Sequence, residues 1–163
     1  MFDKILFMSR ALDDLDRKIL NILMHDAGVS YTEIGKKLFV AAGTVHVRIK
    51  KLRKRGVIRG SQLIVDPEKL GFDVTAFLGI YLDKSSLFES VERQLVEIPE
   101  ITAAYYTTGV YGIFAKIVCR DTNHLRSVLH DKIQKIPGIQ RTETFISLQA
   151  SIERPLDLGV EEG

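Results

Sequence analysis

The sequence predicts an α+β chain in two parts, an N-terminal winged helix-turn-helix and a C-terminal ferredoxin-like βαββαβ sandwich. Helical apolar spacing with cap residues recurs three times before residue 56, and from residue 74 the order becomes strand, helix, strand, strand, helix, strand. The charge divides as well. Residues 1–60 hold 13 Lys+Arg against 6 Asp+Glu (+7), and residues 61–163 hold 10 against 15 (−5), within a formal net charge of +2. A basic N-terminal third on an acidic remainder is the footprint of a nucleic-acid module joined to something with another job. The expected parts are 1–60 for the helix-turn-helix, 61–73 for a linker or hinge strand, and 74–163 for the sandwich.

In LDDLDRKILNILMHDAG, Leu15, Ile19, Leu20, Ile22 and Leu23 recur at helical spacing behind Asp13, an N-cap, and Gly28 closes the element. Ser30 and Glu33 have capping-box spacing ahead of YTEIGKKL. After a break at 39–42 the third helix runs from about Gly43 to Arg55 and stops at Gly56. VIRGSQLIVDP reads as two short strands turning at Arg59–Gly60–Ser61, the wing, and PEKL as one helical turn in the connection.

On the third helix Val45, Ile49 and Leu52 share an inward stripe. Its N-terminal residues Thr44, His46, Val47 and Arg48 are placed to meet base edges, Val47 against a thymine methyl. Lys50, Lys51, Arg53, Lys54 and Arg55 suit phosphates, which hold register without reading sequence. Thr32, on the second helix, joins this DNA-facing set.

The second part reads as strands 74–83, 101–108, 112–120 and 139–149, with helices LFESVERQLVEI, capped by Ser86 and Glu89, and TNHLRSVLHDKIQKI. Both strand faces carry apolar residues: Phe77 and Tyr81 oppose Ala76, Leu78 and Ile80, and Phe114 and Val118 oppose Ile113 and Ile117. Helices cover only one face, so a partner subunit on the other is expected, a homodimer that also suits a two-fold operator.

Other classes are excluded. A lone cysteine, Cys119, permits no internal disulfide and reads as a small buried hydrophobe. His25, His46, His124 and His130 lack metal-ligand spacing. MFDKILFMSR is too short and charged for a signal peptide, and no apolar stretch approaches the roughly 20 residues that span a bilayer. The reading is a soluble, cytoplasmic chain with no membrane partner, metal or cofactor. It holds no nucleophile–base–acid set and no phosphate-binding glycine loop, and so reads as no enzyme.

LDxLDRKIL, HVRIKKL and YYTTGVYGIF, in this order over residues 12–150, resemble the Lrp/AsnC ("feast/famine") family of bacterial and archaeal transcription regulators. TVHVRIKKL, EKLGFDV, EITAAYYTTGVYGIFAKIVCR and IQRTETFISLQ look most like the asparagine-responsive branch. The resemblance implies a double-stranded DNA operator, a homodimer formed through the sheet and assembling further to an octamer, and an amino-acid effector, asparagine, bound in clefts between dimers. For that effector, the turn Thr107–Thr108–Gly109–Val110–Tyr111–Gly112 offers amide N–H groups and hydroxyls to a carboxylate. Tyr106 lies beside it. Val128, Leu129, His130 and Asp131 would close the cleft, and Asp131 or Glu143 would meet the ammonium. Read from residues alone, the same turn is also an ordinary hairpin turn.

The chain departs from the family where a Gly usually sits in the helix-turn-helix turn and Ser-Pro starts the next helix; here stand Phe39, Ala41 and Ala42. Thr44 is the expected substitute cap, and Phe39 is expected to be strained if the turn needs φ > 0. Gly112 also replaces the acid that many leucine-responsive members carry. A second function fits the chain too, a small-molecule-binding assembly protein whose DNA binding is weak or non-specific.

Overall fold

The computed structural model describes residues 12–160, so the opening MFDKILFMSR lies outside the described residues. Two compact units form: one reaches Leu63 and takes in the segment from Ile152, the other is Ile64–Ser151.

The first unit holds α1 (Asp14–His25), α2 (Tyr31–Leu38) and α3 (Ala42–Lys54). Asp13 caps α1, its carboxylate accepting the Asp16 N–H at 2.8 Å. Helix α1 stops at His25, before Gly28, whose N–H is taken by the Asp26 carboxylate at 2.8 Å. The Ser30–Glu33 capping box forms in both directions. Ile19, Ile34, Val45 and Ile49 make the core, with Leu23, Tyr31, Val40 and Ile58 against it. Gly35 is buried where α2 meets the following turn; a Cβ there would lie 2.6 Å from the Val40 carbonyl oxygen. This closeness lets α3 pack back onto α2.

Three expectations change here. Helix α3 begins at Ala42 with Ala41 as an N-cap that supplies no side chain, and the Thr44 N–H donates to the Ala41 carbonyl at 2.9 Å. Thr44 is therefore inside the helix and is not its cap. The wing strands do not form, and residues 57–66 are irregular with Leu63 and Ile64 exposed. A two-stranded ribbon without a third strand or covering layer is marginal in water. The expected hinge strand in 61–73 is likewise absent; the segment carries only the 3-10 turn Glu68–Leu70.

The second unit is β1 (Val74–Leu82), α4 (Phe88–Val96), β2 (Ile101–Tyr106), β3 (Ile113–Cys119), α5 (Thr122–Ser127) running into a π-helical turn Val128–Ile133, and β4 (Ile139–Ile146). The sheet order is β2-β3-β1-β4, with every neighbouring pair antiparallel. Ala76, Leu78 and Ile80 of β1 and Ile113, Ala115 and Ile117 of β3 face the helices and are buried with Val91, Leu95, Leu125, Val128 and Ile133. The Ser86–Glu89 cap does not form, because a 3-10 turn at Ser85–Leu87 precedes α4 and its cap residue is Leu87. The helix expected through 136 widens at Val128. Val128 and Ile133 are both buried yet five residues apart, a spacing that one π turn brings to a single face. Glu100, just before β2, holds this turn by accepting from the Lys132 ammonium at 2.8 and 2.9 Å.

Candidate nucleic-acid interface and effector groove

The inward stripe of α3, Val45, Ile49 and Leu52, is buried. That places Thr44, His46, Val47, Lys50, Lys51, Arg53, Lys54 and Arg55 on its exposed surface, with Thr32 exposed on α2. Val47 keeps 52% of its surface, so a methyl-bearing side chain stands free in the middle of the helix's outer face. His46 rests edge-on against Tyr31, ring centroids 5.7 Å apart, which fixes the imidazole on α2.

Arg48 is set apart from its neighbours. Its guanidinium bonds the Asp13 carboxylate closely and reaches Asp16 at 3.2 Å. Asp16 is 5% exposed, and Arg55 approaches its second oxygen at 3.9 Å. The Asp16 N–H and then Arg48 hold the Asp13 carboxyl below its ordinary range, and Asp13 in turn raises the Arg48 guanidinium. The sequence reading took Asp13 only as the cap of α1 and passed over Asp16. The signal was there: Asp16 stands three and four residues before Ile19 and Leu20, on the stripe that must be buried, where a carboxylate needs a cation.

In the second unit a groove of about 660 Å³ opens between α5 with its π turn and the helix-side face of the edge strand β4. Leu125, Leu129 and Ile146 supply its apolar wall; Arg126, Ser127, His130, Asp131, Gln134 and Thr144 supply polar groups. Leu129, His130 and Asp131 thus come together as expected residues, whereas Val128 is 1% exposed and belongs to the core. A valine on the buried face of the π turn cannot close a cleft on its outer face. Arg126, Gln134 and Thr144 were not anticipated, since nothing in their spacing shows that β4 forms the opposite wall.

The turn between β2 and β3 does not line this groove. The N–H of Thr107 donates to the Gly112 carbonyl at 3.1 Å, that of Gly112 to Ile80 at 2.9 Å, and the Thr107 hydroxyl to the Tyr111 carbonyl. The donors on offer narrow to the amides of Thr108, Gly109, Val110 and Tyr111, at a tip where Val110 is exposed. Tyr106 leaves the turn altogether and packs its ring on Phe88, 4.2 Å between centroids.

Tyr111 reaches over the open face of the sheet. In the ladder Glu143, Gly79 and Phe114 lie opposite one another across three strands. Gly79 leaves a notch there, and the Tyr111 ring fills it: a Cβ at Gly79 would lie 2.5 Å from the ring. The Tyr111 hydroxyl donates to Glu143 at 2.8 Å, Tyr81 to its other oxygen at 3.0 Å, and Arg141 at 2.8 Å. The guanidinium of Arg141 also lies 3.7 Å over the Tyr81 ring. The Tyr111 and Tyr81 hydroxyls hold the Glu143 carboxyl below its usual range, and the bond to Glu143 pushes Tyr111 up to about 12. Three donors within the protomer already engage Glu143, and Asp131, whose ion pair with Lys135 is a longer 3.6 Å, is the more available acid for an ammonium.

A helical unit that projects a basic, half-apolar helix, followed by a sandwich with a polar groove, defines a class: DNA-binding regulators that carry a small-molecule domain. Residues 12–59 match a winged helix-turn-helix DNA-binding family and residues 75–157 match the Lrp/AsnC ligand binding domain. The chain belongs to the Lrp/AsnC family of transcription regulators, a family of regulatory proteins and not of enzymes. It is 46% identical over 145 residues to regulatory protein AsnC of Haemophilus influenzae, covering 89% of this chain and 97% of that one. It is 39% identical over 146 residues to an HTH-type transcriptional regulator of Pyrococcus furiosus, covering 90% and 95%. The structure of Escherichia coli AsnC superposes with a TM-score of 0.84 at 44% identity, over 90% of this chain and 98% of that one. A Neisseria meningitidis regulator in complex with L-methionine shares the fold, TM-score 0.84 at 19% identity, over 88% and 94%. No helix among the described residues is long and apolar enough to cross a membrane.

Proposed function

We propose that this chain is an asparagine-responsive, sequence-specific transcription regulator acting in the cytoplasm on genes of amino-acid metabolism. In this reading α3 enters the major groove, with Thr44, His46 and Val47 toward base edges and Lys50, Lys51, Arg53, Lys54 and Arg55, with Thr32, toward the backbone. The observation that carries the DNA assignment is the outer face of α3, where an exposed valine is ringed by bases on a helix seated by a buried stripe.

Dimers form through the open sheet face and assemble further, to octamers, so that the turn 107–112 of one copy meets the groove at Leu129–Asp131 of another. The separation of turn and groove within one protomer supports this, because a site built from both needs two copies. The groove's polar lining, with Ser127, His130, Asp131, Gln134 and Thr144, suits a carboxamide side chain better than an aliphatic one. The L-methionine held by the Neisseria meningitidis regulator supports an amino acid as the effector class.

A melting-temperature screen against the twenty amino acids tests the effector. A ligand at 100 times its dissociation constant adds about 2.7 kcal/mol. Asparagine is expected to give the largest shift; a shift with another amino acid and none with asparagine overturns the assignment.

A further inference from the structure

From the middle of α3, Arg48 hydrogen-bonds two acids at the start of α1, Asp13 and Asp16. Among the described residues Asp16 is the one buried charged side chain, 5% exposed, and Arg48 is its nearest cation. Asp13 has one oxygen on the first turn of α1 and the other on Arg48, so a single carboxylate ties the start of α1 to the middle of α3. Arg55 stands at 3.9 Å from Asp16, too long for a hydrogen bond to replace the one at 3.2 Å.

We propose that Arg48 is a positioning residue and not a DNA contact: Asp13 and Asp16 keep its guanidinium on α1, fixing the rotation of α3 and leaving base reading to Thr44, His46 and Val47. Moving Arg48 to a phosphate would take from a buried carboxylate the cation hydrogen-bonded to it, a loss one surface phosphate contact does not repay. The rotational lock matters because the readers sit on one short stretch of the helix, His46 and Val47 roughly 100° apart about its axis, and a rotation of α3 moves them together off the groove floor. The acids also withdraw one positive charge per subunit from the DNA surface, which lowers affinity for arbitrary duplex relative to the correct site.

The test uses the full chain, a site selected from a randomised duplex library, and a mixed-sequence duplex. Binding to both is measured across a salt series. Asp16→Asn accompanies Arg48→Gln so that no buried charge is stranded. This variant is expected to keep the parent's salt slope and to lose preference for the selected site at every position, by about tenfold or more. Asp13→Asn with Asp16→Asn keeps an N-cap, since Asn caps as well as Asp, and frees Arg48. It is expected to bind mixed-sequence duplex more tightly and to steepen the slope by about 0.9 per Arg48 freed. A shallower slope in the first variant would put Arg48 on a phosphate, and a loss confined to one base pair would make it a reader. Either result overturns the proposal, as does an unchanged slope in the second variant.

Discussion

Phe39 shows how one residue can hold an unfavourable conformation in plain view. It occupies the turn into the recognition helix at φ 55°, left-handed backbone, and is 96% exposed. Its ring gains no burial to offset the steric cost, which for a non-glycine residue is about 1 kcal/mol. Phe39→Gly is therefore expected to stabilise the helical unit by about 1 kcal/mol in a denaturant titration, with an unchanged slope against denaturant; a loss of stability would show that the ring has a function in the fold. Ala41 is a separate deficit two residues on. It is the N-cap of α3 and offers no acceptor. Ala41→Ser is expected to add about 1 kcal/mol in the same titration. Both deficits were legible as departures from the family pattern. The proposed remedy, a cap at Thr44, was not what the chain does: the backbone starts the helix at Ala42 without one, because burial of Val45, Ile49 and Leu52 decides the helix start more strongly than a cap.

At the scale of elements, the open sheet face is organised by a missing side chain. Gly79 admits the Tyr111 ring, and that ring carries its hydroxyl to Glu143. The pH consequence has a definite sign. Tyr111 is raised from 10.0 to about 12 in the folded chain, so the folded state keeps a proton that the unfolded chain gives up. Stability from this bond is present in full below pH 10 and is lost as pH rises from 10 toward 12. Melting temperature should fall across that window, and Tyr111→Phe should flatten the fall; a variant with the parent's profile would assign the loss to other groups. Gly79→Ala should act on the same bond by displacing the ring, bringing the phenolate absorbance transition back toward pH 10. The strands, the helices and their order were legible from period and cap residues, because burial on one face enforces period two in the strands and about 3.6 in the helices. The π turn, the Gly79 notch and the wall that β4 gives the groove were not. Each depends on which residues oppose one another across the sheet or stack along a helix, and pairing between distant segments leaves no local pattern. The two strands expected in the wing were over-read for a related reason. Val57, Leu63, Ile64 and Val65 have strand composition, but two strands without a third surface have nothing to bury against.

For the whole molecule, the decisive fact is that the sheet has two apolar faces and helices for only one. On the open face Phe77 stacks on Phe114 with centroids 6.0 Å apart, and Tyr111 continues the cluster to Phe114 and Phe145. An aromatic surface of this kind, half-exposed in a protomer, is what a second copy would cover. Phe77 is the residue to test, because it lies at the centre of that face on β1, paired to Phe145 on one side and Lys116 on the other. It points away from the core formed by Ala76, Leu78 and Ile80, so a charge there should leave the protomer folded. Phe77→Glu is expected to move the molar mass in light scattering from the assembly to the monomer while the helical circular dichroism stays. Operator binding should then weaken by two orders of magnitude or more, since two half-sites would no longer be held by one linked pair of α3 helices. The asparagine shift in melting temperature should vanish with it, because turn and groove come from different copies in the proposed site. A variant that keeps the parent's mass would place the dimer contact elsewhere, and a monomer that still responds to asparagine would confine the effector to the groove of a single protomer.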